Sequence, residues 1–141
     1  MPTVLRARGA VNVVTLILVL GLAAVGYAGW VYIPIWLDSL DMREATAATW
    51  NRMAADPDDG RCRAYLIARV NTIGTHWETS GETRVEKRGL GLTEADLVLE
   101  RDPMEHSGRV QVDYQREVRL WPTDRFQAFD FHAEKAGKFP Q

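Results

Sequence analysis

The chain has 141 residues, of which 17 are basic and 19 acidic, with a formal charge of −2 and 46% hydrophobic content. No basic face stands out, so nucleic acid is not an expected partner, and an acidic domain gains little from an anionic lipid surface. The single cysteine, Cys62, excludes an intramolecular disulfide and a cysteine-rich zinc site.

Residues 11–33 read VNVVTLILVLGLAAVGYAGWVYI, with no ionisable side chain except Tyr27 and Tyr32. A helix rises about 1.5 Å per residue, so this run suffices for a hydrocarbon core of roughly 30 Å. It is too long for a signal-peptide core, and no small-x-small site closes it before charged sequence begins, so the helix is expected to stay as an anchor. The expected organisation is an N-terminal segment over 1–10, a transmembrane helix over 11–33, a small domain over 34–134 and a flexible tail over 135–141. Arg6 and Arg8 precede the span, whereas Asp38, Asp41 and Glu44 follow it against Arg43 alone. The positive-inside rule then puts the N-terminus in the cytoplasm and the domain across the membrane. In a bacterium this means an inner-membrane protein with a periplasmic domain.

Tyr27, Trp30, Tyr32 and Trp36 crowd the far end of the span, where amphipathic rings are expected to anchor in the headgroup layer of membrane lipid. Gly21, Ala24 and Ala28 form a stripe at three-four spacing. Small residues let a second helix approach closely, so this stripe is the expected contact with other membrane protein subunits.

Residues 37–55 read as a helix that continues the span, with only Pro34 interrupting it. Leu37, Leu40, Glu44, Ala47, Ala48, Asn51 and Ala54 share one face, with Trp50 and Met53 on its margin. Pro57 and Gly60 end it. A second helix is expected over 61–73. Cys62, Tyr65, Leu66, Val70 and Ile73 form its apolar face, Asp58 and Asp59 cap it, and Gly74 stops it. Cys62 falls at an apolar position, as a buried inert thiol does.

Residues 75–88 alternate weakly about Ser80-Gly81 and read as a short hairpin or loop. Thr93 with Asp96 resembles a capping box that opens one helical turn at most. Strand patterns follow at 97–101, 110–120 and 126–133, with a Pro122-Thr123-Asp124 turn between the last two. Arg116 breaks the apolar row of the middle strand, which predicts a bulge or a sheet edge near it. The expected class is α+β: one transmembrane helix, then two helices and a three-stranded antiparallel meander.

The segment Ile33-Pro34-Ile35-Trp36-Leu37-Asp38, the helix ending near Asp56-Pro57, the Asp96-Leu97 strand, Val112-Asp113-Tyr114 and Phe129-Asp130-Phe131 occur in a characteristic order. This order resembles an uncharacterised family of small bacterial single-pass membrane proteins, known only as a domain of unknown function. The resemblance spans about residues 6–132. Trp36 stands where that family usually has tyrosine, and the 75–92 stretch is longer. The resemblance implies an architecture and no activity. The membrane end also resembles a type IV pilin start, Arg8-Gly9-Ala10 before an apolar helix. Pilins normally carry a glutamate at the fifth residue after processing, and here that residue is Val14.

Candidate chemistry is sparse. His76, His106 and His132 do not pair at helical spacing, so a zinc site of three or four converging ligands is not indicated. Asp56, Asp58 and Asp59 resemble a calcium loop, but Gly60 is misplaced and the twelfth-position glutamate is lacking, so capping explains them better. Ser39, Ser80 and Ser107 lack a nucleophile elbow, and Gly89-Leu90-Gly91 lacks the last glycine of a dinucleotide fingerprint. Four tryptophans follow residue 34: Trp36, Trp50, Trp77 and Trp121. That is enough for one or two to serve a contact surface.

These features lead to an expected non-catalytic, cofactor-free accessory or structural subunit of a larger membrane complex. The alternatives are a pilin-like envelope component and a periplasmic ligand-binding or sensing domain.

Overall fold

The structure is a computed structural model that describes residues 12–140. Arg6, Arg8 and the rest of 1–11 lie outside it. The chain divides into two compact units, one ending at Ile33 and one beginning at Pro34. One α-helix, α1 (Val13–Ala55), supplies residues to both and contains Pro34. Asn12 opens it, its side chain accepting from the Val14 N–H at 3.3 Å.

The second unit is α+β. After α1 come α2 (Asp59–Val70), a hairpin of β1 (Thr75–Ser80) and β2 (Thr83–Arg88), a single 3₁₀ turn at Glu94–Asp96, and the meander β3 (Leu97–Asp102), β4 (Ser107–Leu120) and β5 (Arg125–Lys138). The three-stranded sheet has the order β3-β4-β5, all antiparallel. The hairpin resolves the open choice at 75–88, with Thr75 opposite Arg88 and Ser80 opposite Thr83.

Local chemistry sets the joints. Asp58 caps α2, accepting from the Gly60 and Arg61 N–H groups. Asp96 reaches back to the Thr93 N–H at 2.8 Å and closes the 3₁₀ turn. Gly89 has φ +84°, and a Cβ there would lie 2.1 Å from the Asn71 carbonyl oxygen. The Gly89-Leu90-Gly91 stretch thus permits close backbone approach, and Leu90 fills the core between them.

The core joins α1, α2 and the inner face of the meander. Met42, Met53, Leu66, Val70, Val110 and Val112 are its fully buried large side chains, with Cys62, Thr46 and Thr49 among them. Burying each aliphatic chain of this size contributes roughly 1.5–3 kcal/mol. The face of α1 that does this differs from the one expected. Ile35, Met42, Ala45, Thr46, Thr49 and Met53 are buried, while Leu37 and Leu40 are 49% and 39% exposed. The physical reason is the two threonines. Their hydroxyls donate to the Met42 and Ala45 carbonyls of the preceding turn, which satisfies them inside an apolar core.

Near Arg116 the meander takes the sheet edge of the two expected alternatives, and at its C-terminal end it corrects the expected tail. β4 and β5 pair in one unbroken register, Ser107 opposite Lys138 and Leu120 opposite Arg125, so no bulge occurs at Arg116. β3 stops pairing at Val112, however, so β4 presents an open edge on that side from residue 113 onward. β5 also continues through 135–138, which the sequence pattern assigns to a flexible tail. Phe139 explains this. Its N–H donates to the His106 carbonyl at 2.7 Å, and its ring lies on the Trp50 indole with centroids 5.3 Å apart.

Candidate functional site

The apolar half of α1 leaves most of its large side chains exposed. Leu18, Leu22 and Val25 are 67%, 76% and 71% exposed. Among the described residues, α1 is the one helix long and apolar enough to cross a membrane. Gly21 lies on this half, and a Cβ added there would meet no atom within 4 Å. Gly21 and Ala24 are exposed, and Ala28 is half-buried. The ring residues Tyr27, Trp30, Tyr32 and Trp36 all lie on α1 and all expose a large share of their surface. Such exposure is costly in water and favourable in lipid.

In the second unit, polar groups gather where α1 meets β4. Arg116 Nε donates to Asp38 Oδ2 at 3.1 Å, and its Nη1 donates to Thr75 Oγ1 at 2.7 Å. Thr75 Oγ1 in turn donates to Glu86 Oε1 at 2.5 Å. The Arg116 and Asp38 side chains are only 10% and 16% exposed. Burial raises the Asp38 carboxyl above its ordinary range, against the opposite pull of Arg116. Gly74 closes over this pair, since a Cβ there would stand 2.7 Å from Asp38 Oδ2. The row-breaking arginine is therefore an inward charge with its own partner, placed where β4 has an open edge. Inward charges of this kind discourage edge-to-edge pairing. The sequence offered one signal for it: an arginine at an inward position of an alternating strand needs a buried acid.

An open groove of about 720 Å³ lies against β4 and β5, lined by Asp96, Asp113, Tyr114, Asp130, Phe131 and His132 among others. His132 Nδ1 lies 2.6 Å from Asp113 Oδ1, and its Nε2 lies 3.2 Å from Glu134 Oε2. The bond to Asp113, then that to Glu134, raises the imidazole above its ordinary value and favours the doubly protonated ring. Tyr114 stacks on Phe131 with centroids 5.3 Å apart, and burial pushes its phenol up to about 12.

The remaining candidates resolve into structure. His76 Nδ1 lies 2.6 Å from the Gly89 carbonyl. His106 sits in the β3–β4 turn, and His132 approaches the two acids rather than His106. Asp56 and Asp59 hold Arg61 and Arg101. Cys62 is fully buried, and desolvation raises its thiol. Among the described residues no three His, Cys, Asp or Glu side chains converge as metal ligands do. The four tryptophans after residue 34 divide evenly. Trp50 is buried, with Nε1 donating to the Gly108 carbonyl at 3.0 Å, and Trp77 packs on Phe126, whereas Trp36 and Trp121 are 60% and 74% exposed. Comparison with known protein families, characterised proteins and solved structures gives no match.

Proposed function

We propose that this chain is a single-pass, non-catalytic accessory or structural subunit of a larger membrane complex, anchored by residues 11–33 with its α+β unit outside the cytoplasm. The observation that carries this reading is the exposed apolar half of α1, continuous with a half that packs on a closed core. In lipid, helices associate by close packing of small residues rather than by hydrophobic burial, and the Gly21, Ala24 and Ala28 stripe suits that role. Purification of the full chain in mild detergent should recover partner subunits with it. Changing Gly21 and Ala24 together to leucine should keep insertion but lose those partners, while Leu16 and Leu20 to isoleucine should keep both. Wild-type recovery by the Gly21/Ala24 variant would remove the stripe from the reading.

A second reading, a pilin-like assembly component, is favoured by the uninterrupted run of α1 from Val13 to Ala55. It requires processing before Ala10, which an intact mass beginning at Ala10 would reveal; a mass beginning at Met1 or Pro2 supports the anchored subunit.

A further inference from the structure

We propose that the tip of the β4–β5 hairpin, centred on Trp121, is a second membrane contact that seats in the headgroup layer of the bilayer. The inference rests on the membrane-anchor reading above.

Two contacts fix how β4 lies along α1 within the second unit. Trp50 bonds to Gly108 near the start of β4, and Asp38 bonds to Arg116 further on. As β4 advances, its partners on α1 move back toward Pro34, so the two elements are antiparallel. β4 then continues from Arg116 to Leu120, about 13 Å at roughly 3.3 Å per residue, and Trp121 follows at once in the turn. The hairpin tip therefore lies at the end of the unit where the chain enters at Pro34, and beyond the level of Asp38. Trp36, also exposed, lies at that same end.

The arm is braced just below the tip, and the tip is left bare. Past Val112 the β4–β5 arm has no β3 alongside it, but the β1–β2 hairpin braces it. Arg84 pairs with Glu117 at 3.3 Å and covers the Phe126 ring at 4.6 Å, and Trp77 meets Phe126 edge-on at 5.1 Å. Beyond this brace Trp121 is 74% exposed, flanked by Arg125 and by Arg119, which pairs with Asp124 of the same turn at 2.8 Å. An indole between two arginines suits the bilayer interface, where ring and aliphatic stems face acyl chains and polar ends face headgroups. The choice of lipid over a protein partner comes from continuity: the bare indole shares its end of the unit with the point where the anchor emerges. Met104, 92% exposed in the β3–β4 turn, lies at the other end of the arm and serves as an internal control.

The test uses the full chain in phosphatidylcholine vesicles, with an environment-sensitive fluorophore on Trp121→Cys, on Thr123→Cys as a second tip position, or on Met104→Cys. Cys62 is buried, so the introduced thiol takes the label. The expected result is loss of quenching by aqueous iodide at 121 and 123, with quenching by doxyl lipid labelled near the headgroup, while 104 stays fully open to iodide. Equal iodide quenching at 121, 123 and 104 in a chain that resists alkaline extraction overturns the tip contact alone. Shielding of 121 and 123 in native membranes but not in pure lipid overturns it in favour of a protein partner. Release of the chain by alkaline extraction overturns both the tip contact and the anchor.

Discussion

The two halves of α1 obey opposite rules. From Val13 to Ile33 nearly every residue is apolar, yet Leu18, Leu22 and Val25 stay more than 60% exposed. From Pro34 to Ala55 the sequence mixes Asp, Arg, Glu and Thr with apolar residues, yet Met42, Thr46, Thr49 and Met53 are at or near zero exposure. Apolar content therefore does not mark the protein's own core. In the first half of α1 it marks a surface left exposed, while the core of the second unit is assembled from satisfied polar and apolar groups alike.

The largest effect expected from this contrast comes from the buried pair in the second half. Asp38→Leu leaves Arg116 buried without its acid and should cost about 3–5 kcal/mol in denaturant unfolding. Asp38→Leu with Arg116→Met should recover most of that loss, because removing both charges removes the desolvation cost as well. A double variant as unstable as the single would show that the pair contributes more than mutual neutralisation. Next comes truncation in each half. Met53→Ala should cost about 2–5 kcal/mol through lost burial and the cavity left behind. Leu22→Ala should leave the melting of the second unit unchanged in detergent. Equal destabilisation by the two would erase the distinction between the halves.

The meander was readable in sequence because period-two alternation survives wherever one sheet face is buried, as at Val110, Val112 and Tyr114. Capping chemistry was equally readable at Asp58 and at Thr93 with Asp96, because short-range hydrogen bonds need only local spacing. The buried face of α1 was not, since Thr46 and Thr49 count as polar until their hydroxyls are seen bonding back to the helix. The extension of β5 to Lys138 depends on Phe139 meeting Trp50, a contact across 89 positions that no local pattern encodes. For the same reason Asp38 and Arg116, 78 positions apart, read as an acid flanking the span and a strand flaw rather than as one cluster.

The smallest effect concerns pH, at an exposed site on the sheet. His132 is raised by Asp113 and Glu134 above its ordinary 6.5, so the folded state holds its proton longer than the unfolded chain does. Its contribution to stability is full below 6.5 and is lost as pH rises through the higher folded value. A proton NMR titration should show the His132 transition above the ordinary imidazole value, and Asp113→Asn should bring it down. An unmoved transition in that variant would place the cause elsewhere. Leu22→Ala should leave the titration untouched, since it changes only the apolar half.

The proposed orientation, drawn from Arg6 and Arg8 before the span and the acids after it, is tested most directly by an alkaline phosphatase fused after Gln141 in a bacterial host. That enzyme needs an oxidising compartment to form its disulfides. The account predicts an active fusion in the membrane fraction, with the second unit outside the cytoplasm. A fusion of normal abundance in that fraction but without phosphatase activity would contradict it.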